Sequence, residues 1–253
     1  MEFDNSGSLD KDVEIQKEIE VLKKELNFIL ENEVPKTCKN VINKIQIILK
    51  LMLGDDVTKK ERINLLPHFV VDGLKCSVIF NFNELKNIEI SYKPTPRHNN
   101  YIYKSKEDSS WNLYQIQNSY DILKALEARI ERMNFDSFQQ TAFNMDKITD
   151  SVNSARNILL FPKKRTIHEL QNQKNMKIFP LVPNDLLFSF YIQGYKLFLA
   201  IYTIKGTETT KHILECSSIA WLNNVIVLLT SCLEILQQLK DKLGIFESIN
   251  YNE

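Results

Sequence analysis

The chain has 253 residues, with 32 Lys and Arg against 32 Asp and Glu, so its formal net charge is zero. Hydrophobic residues make up 43% of it, and the mean hydropathy is -0.25. That is too apolar for wholesale disorder, and at this length folding buries roughly 70–75% of the surface, enough for one large core or two small ones. The charge balance argues against nucleic-acid binding and polybasic membrane docking, both of which draw on a basic surplus.

Met1–Asp12 is acidic and polar. It has neither a basic start nor an apolar stretch, so no secretory signal is expected. The first helical pattern lies within Asp10–Glu33, where Ile15, Ile19, Leu22, Leu26 and Ile29 recur at alternating spacings of four and three. Pro35 removes a hydrogen bond and crowds the preceding turn, which predicts a kink or a break near Val34. The pattern resumes through Cys38, Val41, Ile42, Ile45, Ile48, Leu49 and Met52, and Gly54 with Asp55 and Asp56 ends it.

The period then changes to two. A polar loop at Thr58–Arg62, an apolar run His68–Val71 and a turn signal at Asp72–Gly73 lead into Lys75–Phe82. There Cys76, Val78, Phe80 and Phe82 share one face; Ile88, Ile90 and Tyr92 do the same before Pro94 and Pro96. Tyr101–Lys104 reads as a further strand. These are antiparallel strands with one buried face.

Two helices follow. Leu113, Ile116, Tyr120, Leu123, Leu126 and Ile130 mark the first, starting at Trp111; Phe143, Ile148, Val152, Ala155 and Leu159 mark the second, closed by Pro162. The Lys163–Lys177 link is basic and lacks a core pattern, but Thr166 and Glu169 stand at capping-box spacing. Leu186, Phe188, Phe190 and Ile192 alternate, Gln193–Gly194 turns, and Lys196–Ile204 is strongly β-prone. After a turn at Gly206–Thr210, His212–Cys216 reads as an edge strand. The last element is a helix over Ile219–Phe246 with a seam of Leu222, Ile226, Leu229, Leu233, Leu236 and Leu243, and Lys240 at one seam position. Val225, Leu228, Cys232 and Leu239 widen its apolar face, which calls for several helical neighbours. Asn223, Asn224 and Glu234 interrupt it, so it reads as a buried helix and no transmembrane segment is expected.

The order of helices, strands, helices, strands and helix predicts an α+β fold with two interleaved lobes. An antiparallel helical bundle lobe would draw on 1–60, 111–160 and 217–253. An antiparallel β-sheet lobe would draw on 61–110 and 161–216.

No chemical motif emerges. The six glycines form neither a dinucleotide fingerprint nor a P-loop. His68, His98, His168 and His212 have no metal-ligand spacing. Cys38, Cys76, Cys216 and Cys232 are far apart in apolar contexts, which favours four buried, reduced thiols over a disulfide framework or a zinc site. Asp55–Asp56 and Glu107–Asp108 read as solvated turns. Trp111 and Trp221 read as packing residues. Lys163, Lys164 and Arg165, with Lys174 and Lys177, offer charge to an acidic partner or anionic lipid, a solvated loop being the plainer reading. A DNA-binding zipper needs a basic region ahead of its heptads, and the residues before Ile15 are acidic. No catalytic, cofactor-binding or metal-binding residue is nominated, and no partner-binding residue is assigned.

Four collinear stretches carry a family resemblance. Phe28-Ile29-Leu30-Glu31-Asn32-Glu33-Val34, Trp111-Asn112-Leu113-Tyr114-Gln115-Ile116-Gln117, Phe179-Pro180-Leu181-Val182-Pro183-Asn184-Asp185-Leu186-Leu187 and the segment from Trp221-Leu222-Asn223 to Gln237-Gln238-Leu239-Lys240-Asp241-Lys242 resemble the Rogdi family in order. The stretch before Val21 matches poorly. The resemblance implies an elongated molecule with a helical lobe and a β lobe, and a non-catalytic subunit. Rogdi proteins are similar to the small subunit of the RAVE complex, which helps rejoin the peripheral sector of the vacuolar proton-pumping ATPase to its membrane sector. The implied partners are a β-propeller scaffold of the DMX-like (rabconnectin) type and peripheral-sector subunits of the pump. The implied setting is the cytoplasm, with peripheral association to endolysosomal or vesicle membranes through partners. The rival expectation is a structural coiled-coil protein that self-associates through the Ile15–Ile29 or Leu222–Leu243 seam; a chain that is monomeric in isolation is expected instead.

Overall fold

A computed structural model describes residues 6–54, 61–67, 74–93, 99–162, 164–171, 177–206, 208–216 and 218–247. The readings at Asp55–Asp56, His68–Gly73, Pro94, Pro96, His98, Lys163 and Lys174 fall outside these residues.

The N-terminal helix neither breaks nor ends at Pro35. Helix α1 (Ser6–Phe28) passes through a π-helical segment, Ile29–Glu33, into α2 (Val34–Leu53). The Val34 N–H bonds to the carbonyl of Ile29, five residues back. Widening the turn relieves the crowding that a proline ring imposes on the carbonyl four residues earlier. It also absorbs a spacing irregularity. The seam steps five residues from Ile29 to Val34, and the π turn takes up the extra one, so both stripes stay on one side of a continuous rod.

The bundle consists of α2, α3 (Tyr114–Ile130), α4 (Phe138–Leu160) and α6 (Ala220–Gly244). Neighbours run α2–α3, α3–α4, α4–α6 and α6–α2, closing a ring. Each buried stripe keeps the four-three spacing of a knobs-into-holes seam: Val34, Cys38, Val41, Ile45, Ile48 and Met52 in α2, and Ile116, Ser119, Leu123, Leu126 and Ile130 in α3. In α4 it is Thr141, Met145, Ile148, Val152, Ala155 and Leu159, and in α6 Leu222, Val225, Leu229, Cys232, Leu236, Leu239 and Leu243.

Two stripes differ from the sequence reading. In α6 the buried stripe takes in Val225, Cys232 and Leu239 beside Leu222, Leu229, Leu236 and Leu243, while Ile226 and Leu233 are only partly buried and Lys240 lies outside, paired with Asp146 at 2.5 Å. In Val225–Ile226 and Cys232–Leu233 both members are apolar, so periodicity could not choose between them. In α4, Phe143 is 55% exposed with the Lys147 ammonium 3.9 Å from its ring centroid; Thr141 and Asn144 are buried instead. Their polar groups bond to the carbonyls of Phe135 and Asn134 in the α3–α4 turn, which makes that burial tolerable. By length and composition α6 could cross a membrane; here its stripe packs against α2 and α4.

Among the described residues the sheet has nine antiparallel strands: β1 (Glu61–Pro67), β2 (Lys75–Asn81), β3 (Glu84–Tyr92), β4 (Tyr101–Ser105), β5 (Trp111–Asn112), β6 (Ile178–Phe179), β7 (Leu186–Gln193), β8 (Lys196–Lys205) and β9 (Glu208–Glu215). Its order is β6-β4-β3-β2-β1-β9-β8-β7, with β5 paired to β3. The region read as a polar loop ends instead in β1, whose Ile63 and Leu65 are buried. β9 is no edge strand: it pairs with β8 along its length and with β1 at Leu66↔Glu215 and Pro67↔Leu214. That short contact joins the two strand groups into one sheet. The sheet curls into a half-barrel, so that Tyr103 of β4 meets Phe188 of β7 ring to ring at 5.6 Å, and the Tyr92 hydroxyl lies 2.9 Å from Thr203 Oγ1.

The chain passes between bundle and sheet after α2, before α3, after α4 and before α6. In an antiparallel ring these are all one end of the bundle, so the helices stand on the sheet by their tips.

Candidate functional site

The groups that sequence reading considered for chemistry do not converge. Cys38, Cys76, Cys216 and Cys232 are all free and buried. Burial pushes the thiols of Cys38 and Cys232 up to about 11 and that of Cys76 higher still, since a thiolate loses its hydration in an apolar site. Cys216 Sγ accepts the Leu197 N–H at 3.1 Å, a structural contact. Glu107 and Asp108 are exposed on a turn. Among the described residues no three His, Cys, Asp or Glu side chains group where a metal could bind. The Thr166–Glu169 box does form: Thr166 N–H donates to Glu169 Oε2 at 2.6 Å, and Glu169 N–H to Thr166 Oγ1 at 3.3 Å, opening α5 (Ile167–Gln171).

What the fold does assemble is a junction between the lobes. Trp111 sits in β5, two residues before α3's cap Leu113, buried edge-to-face against Phe190 at 5.6 Å. Trp221 packs on Phe80 at 5.7 Å. Both are packing residues. Gln115, on the first turn of α3, was not singled out from sequence. Its Nε2 donates to the Ile192 carbonyl at 2.7 Å, and its Oε1 accepts the Ile192 N–H at 2.8 Å, so one side chain pairs with β7 as a strand would. Nε2 also reaches the Ile158 carbonyl of α4 at 3.3 Å. Gly194, at φ 61 in the β7–β8 turn, donates its N–H to the Leu159 carbonyl at 2.9 Å, and Leu113 N–H bonds to Asn83 O at 2.7 Å. No periodicity marks a glutamine for such a role.

The family model described as Rogdi leucine zipper containing protein matches residues 25–244. The chain belongs to the Rogdi family. Protein rogdi of Drosophila melanogaster is 32% identical over 187 residues, covering 69% of each chain. The rogdi homolog of Danio rerio is 28% identical over 281 residues, 93% of this chain and 97% of the relative. The human homolog is 26% identical, covering 90% and 93%.

The Rogdi match has structural edges. It begins beside Leu26, the first buried seam residue of the N-terminal helix, and ends at Gly244, the last residue of α6. The stretches that carried the resemblance fall on the π segment, on the β5–α3 junction, on the β6–β7 link and on α6. Upstream of the match, the seam residue Ile15 is 52% exposed and Ile19 and Leu22 are half-buried, so this part of the Rogdi-family chain leaves its seam only partly covered.

Proposed function

We propose that this Rogdi-family chain is a non-catalytic adaptor, the small subunit of a RAVE-like complex that promotes assembly and regulation of the vacuolar proton-pumping ATPase. The observation that carries the reading is the family match over residues 25–244. Two features support it. The thiols are buried, and Gln115, the polar side chain at the centre of the lobe junction, is bonded to backbone. The partners are a DMX-like β-propeller scaffold and peripheral-sector pump subunits, met in the cytoplasm, with membranes reached through them. Affinity purification of the tagged full chain, read by mass spectrometry, tests this. Recovery of scaffold and pump subunits is expected; their absence under gentle conditions overturns the reading.

One observation favours a second reading, self-association. Of the two seams that could serve it, Leu222–Leu243 is taken up inside the bundle, whereas the Ile15–Leu22 part of the other remains outside. Light scattering on the isolated chain separates the two readings.

A further inference from the structure

Strand β7 is one edge of the sheet, and its bonding leaves a gap. Backbone groups of an antiparallel strand alternate between the neighbouring strand and the open side. Ile192 is turned outward, since both its backbone groups bond to Gln115. Leu186 is too, its N–H donating to the Pro183 carbonyl at 3.0 Å. Phe188 and Phe190 share their parity and therefore also face outward, while Asp185, one step out of phase, accepts from Ile204 across the pair with β8. The two ends of the edge are capped by bonds within the chain. The N–H and C=O groups of Phe188 and Phe190 between them have no partner among the described residues.

A pocket of about 380 Å³ adjoins this stretch, lined by Trp111, Leu170, Ile178, Val182 and Phe188 together with the polar Gln171 and Asn184. Ile178 belongs to β6, the opposite edge of the sheet, and Leu170 to the short helix α5. The pocket therefore occupies the space where the half-barrel fails to close, between α5 and β7. Trp111 is 4% exposed and its indole N–H is buried without a hydrogen-bond partner, a donor left for an acceptor.

Three cations lie over aromatic rings of the pocket and of the β7–β8 pair. Lys164 lies over the Tyr191 ring at 5.2 Å, Arg165 over Trp111 at 4.8 Å and Tyr114 at 5.3 Å, and Lys211 over Tyr202 at 5.6 Å. Lys211 is held below the usual lysine range by partial burial and by Lys164 beside it. Among the described residues none of the three pairs with a carboxylate.

We infer that β7 receives an acidic peptide in extended conformation, which pairs with Phe188 and Phe190 as an added strand, sets an apolar side chain in the pocket and meets Lys164 and Arg165 with its carboxylates. Main-chain bonds supply affinity in such strand addition, and the alternate side chains supply selectivity. This deepens the adaptor reading and rests on it for the partner's identity.

The test uses the full chain and a fluorescent octapeptide of alternating glutamate and valine. Its comparison peptides are one with lysine in place of glutamate and one N-methylated at alternate amides. Anisotropy is expected to show saturable binding of the acidic peptide, weakened about tenfold or more by N-methylation, by lysine, or by the K164E/R165E variant. Amide exchange at Phe188 and Phe190 is expected to slow at saturation. Binding that tolerates N-methylation, or no binding by the acidic peptide, overturns the site. A dimer of the free chain that dissolves when the peptide is added also overturns it, since the edge would then belong to a second copy. Peptide binding without recovery of scaffold or pump subunits supports the site and overturns the pump reading. Recovery of those subunits without peptide binding does the reverse.

Discussion

The two halves of the N-terminal helix carry the same kind of stripe and meet different fates. Val34, Val41, Ile45 and Ile48 in α2 are wholly buried, whereas Ile15 in α1 is 52% exposed and Ile19 and Leu22 are only half-buried. Spacing states that a face wants a partner; it does not state whether the chain provides one. For α2 the partners are α3 and α6, and the Glu33–Lys242 pair at 2.5 Å marks where α6 runs out. Beyond that point the packing of α1 thins: Leu26 is still buried and Leu22 partly so, and Ile15 is exposed. The helix is one rod, but its stability is divided near Leu22, where core contact ends, because tertiary packing rather than propensity holds most helices.

The sharpest way to break this comparison is to remove volume on the packed side. Leu229 is fully buried in the central part of α6. Leu229→Ala is expected to cost about 2–5 kcal/mol in urea unfolding, the range for a buried leucine that leaves a cavity. Because Leu229 belongs to the stripe that closes the ring, bundle and sheet signals should shift together. A loss below about 1 kcal/mol would show that the α6 stripe is not the closing element.

Next in size is the joint between the lobes. Gln115→Ala leaves the Ile192 N–H and C=O without their partner. An unsatisfied polar group of this kind costs about 1–3 kcal/mol. The same change at Gln46, an exposed residue bonded to Glu127 on the bundle surface, should stay within about 0.5 kcal/mol. Equal losses at the two sites would remove the special status given to Gln115.

Alkaline pH tests the bundle core in another way. The thiols of Cys38 and Cys232 rise from 9.0 to about 11 through burial. The unfolded chain therefore releases these protons first, and the stability they carry is complete below about pH 9. It falls as pH climbs toward 11, with a slope approaching 1.4 kcal/mol per pH unit for each thiol. Urea midpoints across pH 8–11 should decline more steeply for the native chain than for a Cys38→Ala/Cys232→Ala variant. Parallel declines would place these thiols in contact with water.

Much of this architecture could be read from the residues, and what could not has identifiable causes. Alternation in Lys75–Phe82 and Leu186–Ile192 marked strands, and the four-three spacing marked every bundle helix, because burial on one face imposes those periods. The register of α6 was ambiguous because Val225–Ile226 and Cys232–Leu233 are both apolar pairs. The interior place of β9 depends on two residues of β1 some 150 positions away in sequence, a pairing that no local pattern encodes. The π segment did leave a trace, since a five-residue step from Ile29 to Val34 stands directly before Pro35. Of the junction, Trp111 was legible as a packing residue; Gln115 was not, because a polar side chain that caps a strand edge has no period.

The smallest expected effect is on the unpacked side of the comparison. Ile15→Ala removes as much apolar surface as a core isoleucine would, but from a side chain already half in water, so unfolding of the bundle should move by no more than about 0.5 kcal/mol. The part of the seam left outside the core, Ile15 to Leu22, spans one heptad, shorter than the three to four that sustain a coiled coil. Light scattering of the isolated chain at micromolar concentration should therefore return the mass of a monomer, 29.6 kDa. Doubling of that mass, reversed by Ile15→Glu, would show that two short seams suffice when each is anchored to a folded bundle. The free half of the rod would then be a dimerisation arm, and the contrast with α2 would become one between a stripe closed within the chain and a stripe closed between chains.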